Sequence, residues 1–283
     1  MNSEKIEEFN SILDTLDSIN ESSAIEFYVP SLKRDIKFSP ITITHQHNLN
    51  EIEIAAWNAG GAEQLNYIYF CKAYDGIIKE TCLDKDLNTD TLLSIDRLAL
   101  AIQHRIQIDK KMKVSLYEDD EIHTVDLSKL PIALKKISPA KLRKKIKHKD
   151  IQVTVGFPSL NHDRQINDAV QRILDLENES AGSQDEVEII IEENFADLLL
   201  TLLSKHIVEI DVNGKIISID KGASPDMFIS IIQKLPLSLL KKVNDSYEDY
   251  KAMEAEIITI KHTENEETTD ILLDITTGLF TGI

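Results

Sequence analysis

The chain has 283 residues, of which 42% are hydrophobic, and this is enough for the cores of one large domain or two ordinary ones. Its 31 Lys and Arg against 49 Asp and Glu give a net charge of −18, which argues against general binding to nucleic acid or to anionic membranes. No apolar run approaches the roughly 20 residues that span a bilayer. Because the acidic N-terminus is also unlike a signal peptide, we expect a soluble protein of the cytoplasm in which it is made.

Residues 1–24 predict an acidic amphipathic N-terminal helix. Ile6, Phe9 and Leu13 recur at helical spacing, and Glu and Asp occupy much of the remaining helix surface. Because this helix precedes the first hairpin, it docks either on its own body or on another subunit. Its apolar residues are therefore candidate partner-binding residues.

The next stretch, Phe27–Ile43, has the composition of a β-hairpin. Strand-forming residues stand on both sides of a turn-forming run from Pro30 to Asp35. A weaker echo, Val153–Asp163, again places Pro-Ser-Leu at a strand end, which raises the possibility of two related halves.

Three helices and a second hairpin are predicted next, because apolar residues first recur at helical spacing and then alternate. Cys71 and Cys82 both fall on the second of these helices, separated by about 16 Å of helical rise. That distance is beyond disulfide reach, so both thiols are expected to be reduced. The predicted elements are helices from Thr44 to Trp57, from Ala62 to Leu83 and from Thr89 to about Gln107, and a hairpin over Met112–Asp126.

The segment from Lys129 to Lys149, called the basic band below, contains nine Lys and Arg and no Asp or Glu, so the rest of the chain carries 22 − 49 = −27. Pro131 and Pro139 predict that the basic band consists of short helical pieces. Three interpretations stay open: a solvated face, a phosphate-binding patch, or an electrostatic dock for an acidic surface of a partner. The candidate partner-binding residues in the basic band are Lys141, Arg143, Lys144, Lys145 and Lys147.

The second half predicts the same mixture of helices and hairpins. Asn178–Asp185 is the strongest linker signal in the chain. Asn213-Gly214, inside Ile207–Asp220, predicts a hairpin with a two-residue type I′ turn. The other predicted elements are a strand from Ile151, a helix after the Pro-Ser-Leu echo, helices over Glu186–Ser204, Pro225–Lys234 and Leu237–Glu254, and strands over Glu256–Lys261 and Asp270–Thr276.

The order of these elements predicts an α+β fold, with β-hairpins set between groups of helices. We expect three parts: the N-terminal helix (1–24), an N-terminal α+β domain that ends in the basic band (25–150) and a C-terminal α+β domain (151–283). The chain ends with apolar Leu279 and Phe280, which must fold back or be covered by a partner. Both are therefore candidate partner-binding residues.

The sequence contains no strong catalytic or metal-binding motif. The run Asp84–Asp90 copies the first ligands of an EF-hand loop, but Thr89 and Ile95 stand where that loop needs Gly and Glu, so a solvated turn is expected. His45 and His47 have no Cys, Asp or third His near them in the sequence. Neither GxGxxG, GxSxG nor HExxH occurs, so we predict no metal, no cofactor and no catalytic residue; a hydrolase built from scattered Asp, Ser and His stays open as an alternative.

Two stretches of the N-terminal half resemble the T-even-type phage baseplate hub assembly proteins. Tyr28–Thr42, with Pro-Ser-Leu and then Ile-Lys-Phe-x-Pro-Ile-Thr, is similar to the opening of that family. A helix that ends in Ile78–Cys82, an acidic linker and a helix with Ser94–Leu98 and Arg105 are similar to the part that follows. At the other end, Leu235-Pro236, a long helix, a hairpin and a closing strand keep the family's order of elements.

The resemblance implies a non-enzymatic structural or assembly component for the hub of a contractile tail. Its implied partners are other tail or baseplate hub proteins, with a homo-oligomer as a further option, and neither nucleic acid nor a membrane. Its implied location is the host cytoplasm during assembly, or the tail baseplate of the virion. A transient chaperone-like adaptor, absent from the finished particle, is the alternative.

Overall fold

The chain alternates helices with short antiparallel strands, and the predicted α+β class is confirmed. The computed structural model describes residues 3–58, 63–115, 122–130, 134–180, 198–264, 267–273 and 279–280. The helices are α1 (Ser3–Ser22), α2 (Ile43–Asn58), α3 (Glu63–Thr81), α4 (Ser94–Ile108), α5 (Leu160–Ser180), α6 (198–205), α7 (Pro225–Ile232) and α8 (Leu237–Ile258). The strands are β1 (Ile25–Val29), β2 (Arg34–Phe38), β3 (Lys111–Ser115), β4 (Ile122–Asp126), β5 (Arg143–His148), β6 (Ile151–Gly156), β7 (Ile207–Val212), β8 (Lys215–Ser218), β9 (Thr259–Glu264) and β10 (Glu267–Leu272).

Within the described residues, the strands form three two-stranded hairpins and one four-stranded sheet in the order β5-β6-β7-β8. The predicted hairpins β1–β2, β3–β4 and β7–β8 are confirmed. Asn213 and Gly214 join β7 to β8 with φ angles of 53° and 80°, and a type I′ turn requires positive values at both positions.

Helix α4 holds the first hairpin through two polar side chains. Gln103 accepts a hydrogen bond from Tyr28 N and donates one to Tyr28 O, both at 2.9 Å. Its side-chain amide thus makes the two hydrogen bonds that a neighbouring strand would make with this residue of β1. The buried carboxylate of Asp96 accepts a hydrogen bond from Ser31 N at 2.9 Å. These bonds satisfy backbone groups of the hairpin that would otherwise lie unpaired in the interior.

One hydrophobic core joins the two predicted domains. Phe27 of the first hairpin, Phe157 after β6 and Phe280 near the C-terminus belong to the same cluster of buried side chains. The boundary expected at residue 150 falls in the turn between β5 and β6, which pair along their whole length. The four-stranded sheet therefore crosses that boundary.

The second part of the basic band is a strand, so the predicted helical pieces are wrong there. Arg143–His148 form β5 at the edge of the four-stranded sheet, and residues 139–141 form a single 3-10 turn. β5 pairs with β6, whose β-branched residues such as Val153 are buried in the core. Tertiary packing thus overrides the helix propensity of Lys. An edge strand lined with Lys also resists edge-to-edge pairing between molecules.

Helix α4 begins later than predicted. The Asp96 carboxylate accepts a hydrogen bond from Leu93 N at 2.8 Å and caps the helix there, so its first residue is Ser94. Residues 89–91, where the prediction started the helix, form a separate 3-10 turn.

The last hairpin is shifted along the chain relative to its prediction. Helix α8 continues to Ile258, because Ile257 extends its buried face. The first strand therefore starts at Thr259 instead of Glu256, and β10 ends at Leu272.

The predicted linker and the helix after it fall largely outside the described residues. Asn178–Ser180 form the end of α5 and are therefore helical, which corrects the start of the linker. Of the predicted helix Glu186–Ser204, residues 198–204 are described and are helical. The other predictions that lie outside the described residues concern Gly60-Gly61, the turn Tyr117–Asp120 and Pro131.

Candidate protein-interaction site

Helix α1 presents an apolar stripe to solvent. Phe9 is 54% exposed and Leu13 is 43% exposed, although their spacing is that of a helix face that a globular protein ordinarily buries. Ile6, predicted with them, lies on the same helix, but its side chain is outside the described part of the structure. Contiguous exposed apolar surface of this kind marks an interaction site. The residues of this α1 stripe are Phe9, Ile12, Leu13, Leu16 and Ile19.

Helix α1, which carries the α1 stripe, is strongly acidic. Between Ser3 and Ser22 the helix contains one Lys against six Asp and Glu, a net charge of 1 − 6 = −5. An anionic lipid surface would repel this helix, since interfacial helices ordinarily carry Lys and Arg on their polar face. The composition therefore favours a protein partner whose apolar contact surface has a positively charged rim.

Strand β5 distributes the cations of the basic band over both faces of the sheet. Ile146 is buried on the face that α8 covers, and Lys144 lies on that same face. Because side chains alternate along a strand, Arg143, Lys145 and Lys147 lie on the opposite face. All the charged side chains of β5 are exposed.

Two cations of the basic band are neutralised inside the chain. Arg143 donates hydrogen bonds to both carboxylate oxygens of Asp220, at 2.7 and 3.1 Å. Lys144 lies 3.1 Å from a carboxylate oxygen of Asp249 on α8. Two of the candidate partner-binding residues of the basic band, Arg143 and Lys144, are therefore paired within their own chain. Among the described residues, no carboxylate lies within ion-pair distance of three other cations, Lys141, Lys145 and Lys147.

A cavity of about 320 Å³, called the basic groove below, lies beside β5. Buried Tyr250 is one of its lining residues; its ring packs edge-on against Phe157 at 4.9 Å between ring centroids, and its hydroxyl donates a hydrogen bond to Val155 O at 3.0 Å. The lining thus combines three cations with one carboxylate and one almost fully buried aromatic ring. The sequence analysis missed Tyr250, because its neighbours on β5 and β6 are about a hundred positions away in the chain. The lining residues are Ala140, Lys141, Arg143, Lys144, Asp249 and Tyr250.

The apolar C-terminal residues fold back on their own chain. Leu279 and Phe280 are both buried. The Phe280 ring stacks on Tyr74 at 5.8 Å and on Phe70 at 6.5 Å between ring centroids. The sequence left open whether these residues fold back or are covered by a partner. In the structure they fold back, so they offer no surface to a partner.

A buried ion-pair network, which the sequence analysis did not predict, joins helices α3, α4, α5 and α6. Arg97 donates hydrogen bonds to both oxygens of Asp75, at 2.7 and 3.0 Å, and a third to Asp163 at 2.6 Å. Lys205 lies 2.8 Å from the other oxygen of Asp163. Pairing of this kind offsets the cost of removing these charges from water. The sequence contained one signal of this network. Arg97 is a charged residue at an apolar position of its helix, four residues after Leu93 and three residues before Leu100.

This network is arranged to hold helices together and not to activate a nucleophile. Burial raises the pKa of Asp163, but Lys205 and Arg97 outweigh burial and hold that pKa below its usual range. Cys71 Sγ accepts a hydrogen bond from Arg97 at 3.1 Å, yet burial raises the pKa of its thiol to about 11. Cys71 is therefore protonated at neutral pH, whereas a reactive cysteine needs its thiolate.

The carboxylates of the EF-hand-like run are used in the connection between α3 and α4. Asp84 forms an ion pair with Arg34 at 3.0 Å, and Asp90 forms one with Arg164 at 3.0 Å. The nearby His45 places its Nε2 3.2 Å from a Glu80 oxygen. In the part of the chain that the structure describes, no three His, Cys, Asp or Glu side chains are grouped to hold a metal ion.

Comparisons with known proteins do not extend this description. The chain matches no protein family, no curated protein and no solved structure. In the described ranges, none of the helices is both long enough and apolar enough to cross a membrane. The α1 stripe and the basic groove, defined by their own geometry, are thus the two candidate contact surfaces.

Proposed function

We propose that this chain is a non-enzymatic structural or assembly component that acts through protein–protein contacts, in the baseplate hub of a contractile phage tail. The α1 stripe, five large apolar side chains exposed on one helix, is the observation that carries the contact role. The setting rests on the resemblance of Tyr28–Thr42 and Ser94–Leu98 to the hub assembly family.

The size of the α1 stripe indicates what else the contact needs. Full burial of a Leu, Ile or Phe side chain stabilises by about 1.5–3 kcal/mol. Burying the exposed half of such a side chain in a contact therefore contributes roughly 1 kcal/mol. Five such side chains supply on the order of 5 kcal/mol before the cost of association. A stable contact therefore requires more than the stripe, and the net charge of −5 on α1 is the obvious addition.

The test is quantitative mass spectrometry of tail intermediates and finished particles purified from phage-producing cells. A lasting component is expected in the particles at a fixed integer copy number. A transient adaptor, the alternative form of the same role, is expected in the intermediates alone. Absence of the chain from both fractions would contradict the proposal.

A matched pair of variants connects this test to the α1 stripe. The double change Phe9→Glu and Leu13→Glu places two charges in the stripe and should remove the chain from the fractions that contain it. Met227→Glu adds a charge at a 53% exposed position of α7 and should leave recovery unchanged. Equal recovery of the double variant and wild type would contradict a contact role for α1.

A further inference from the structure

We infer that α1 docks on the basic groove of a second copy of this chain. The inference rests on the proposed role of α1 as a contact surface, and it names the partner. It joins three observations: the exposed α1 stripe, the net charge of −5 on that helix, and the groove beside β5, whose lining contains three cations and one carboxylate.

Charge selects between the two ways in which two copies could use α1. Pairing α1 with α1 would bring together two helices that each carry −5, and like charges at a contact disfavour it. Docking α1 on the basic groove instead brings the acidic helix to the three cations that line it, Lys141, Arg143 and Lys144. Among the described residues, Lys141 has no carboxylate within ion-pair distance.

The geometry makes this a head-to-tail contact. Each copy has one donor surface, the α1 stripe, and one acceptor surface, the basic groove, and the two are different. A heterologous contact of this kind builds rings where the rotation closes and open chains where it does not. The structure leaves the α1 stripe exposed in its own chain, so the donor is free for another copy.

The first experiment is sedimentation velocity of the full-length chain over a range of concentrations at low and high salt. The expected result is a mass that rises above the 32.0 kDa of one chain with concentration and falls back at 1 M salt. Salt weakens the contact because the Debye length shortens from about 10 Å at 0.1 M to about 3 Å at 1 M. A wild-type chain that stays monomeric at every concentration in low salt overturns the inference.

The second experiment separates donor from acceptor. Phe9→Glu with Leu13→Glu disables the donor, and Lys141→Glu with Lys144→Glu, two cations that line the groove, disables the acceptor; each should weaken self-association by about tenfold or more. A mixture of the two double variants should form dimers and nothing larger, because each mixed pair retains one intact contact. Met227→Glu is the matched control and should assemble like wild type. Thermal melting of each variant confirms that it is folded.

Two outcomes contradict the inference in different ways. If the acceptor variant assembles like wild type while the donor variant does not, α1 pairs with α1 or with another surface, and the basic groove is not its site. If wild type is a monomer, yet Phe9→Glu with Leu13→Glu still removes the chain from phage tail fractions, the partner is a different protein. The proposed function then stands while this inference fails.

Discussion

Helices α1 and α4 place their residues in opposite ways. In α1, apolar Phe9 and Leu13 lie half-exposed in water, whereas in α4, charged Asp96 and Arg97 are buried. The charges of α4 are offset by hydrogen bonds and ion pairs inside the chain, so α4 is complete without a partner. The apolar side chains of α1 keep about half of their surface exposed to solvent in the described part of the structure. The charges of α4 are thus satisfied within the chain, whereas the exposed apolar face of α1 is the surface for which we propose a partner.

The largest expected effect comes from breaking the network around α4. Arg97→Leu should lower the free energy of unfolding by about 4 kcal/mol, because it leaves the buried carboxylates of Asp75 and Asp163 short of their cation. Urea unfolding followed by circular dichroism measures the change. A loss below about 1 kcal/mol would mean that water or a neighbouring cation replaces Arg97, and the contrast with α1 would weaken.

The next effect concerns Phe280, which the sequence grouped with α1 as a candidate partner surface. Phe280→Ala should cost about 3 kcal/mol, because it leaves a cavity beside the Tyr74 and Phe70 rings. The same unfolding experiment measures it, with Leu272→Ala, at a 62% exposed position, as the control. If Phe280→Ala instead left stability unchanged and impaired assembly, the C-terminus would belong with α1 as a contact surface.

Lowering the pH from 7 to 5 should cost about 2 kcal/mol of stability. Burial lowers the pKa of His104 and of His206 to about 3, so the unfolded chain takes up protons near pH 6.5 and the folded chain does not. Glu254 acts in the opposite direction, because burial raises its pKa to about 7 and the folded chain binds that proton first. The two histidines outweigh the single carboxyl group.

Urea unfolding at pH 7, 6 and 5 measures this dependence. His206→Gln removes one of the two histidine contributions and should flatten the slope. A wild-type chain that gains stability toward pH 5 would show that the buried histidines are protonated in the folded state. In their protonation, the buried histidines would then resemble exposed residues more closely than their burial in the structure indicates.

The smallest expected effect is on the stability of α1 variants. Phe9→Ala and Leu13→Ala should each change the free energy of unfolding by less than about 0.5 kcal/mol, since surface positions away from packed contacts tolerate substitution. The same variants should weaken assembly, and that combination distinguishes a contact surface from a core. A loss of 2 kcal/mol or more in the isolated chain would mean that α1 packs on its own body.

Features that depend on local physics can be predicted from the sequence. The 3.6-residue spacing of Ile6, Phe9 and Leu13 is enough to predict an amphipathic α1, and Asn213-Gly214 is enough to predict the β7–β8 hairpin, because turn and helix preferences act within a few residues. The α+β class follows from the order of such elements.

Tertiary structure alone decided which surfaces stay open. Local patterns cannot show that Asp220 and Asp249 neutralise Arg143 and Lys144 from 77 and 105 positions away. Nor can they show that Phe280 finds an aromatic partner while the equally apolar Phe9 stays exposed. Both outcomes depend on which distant segments the fold brings together, and that requires packing over the whole chain.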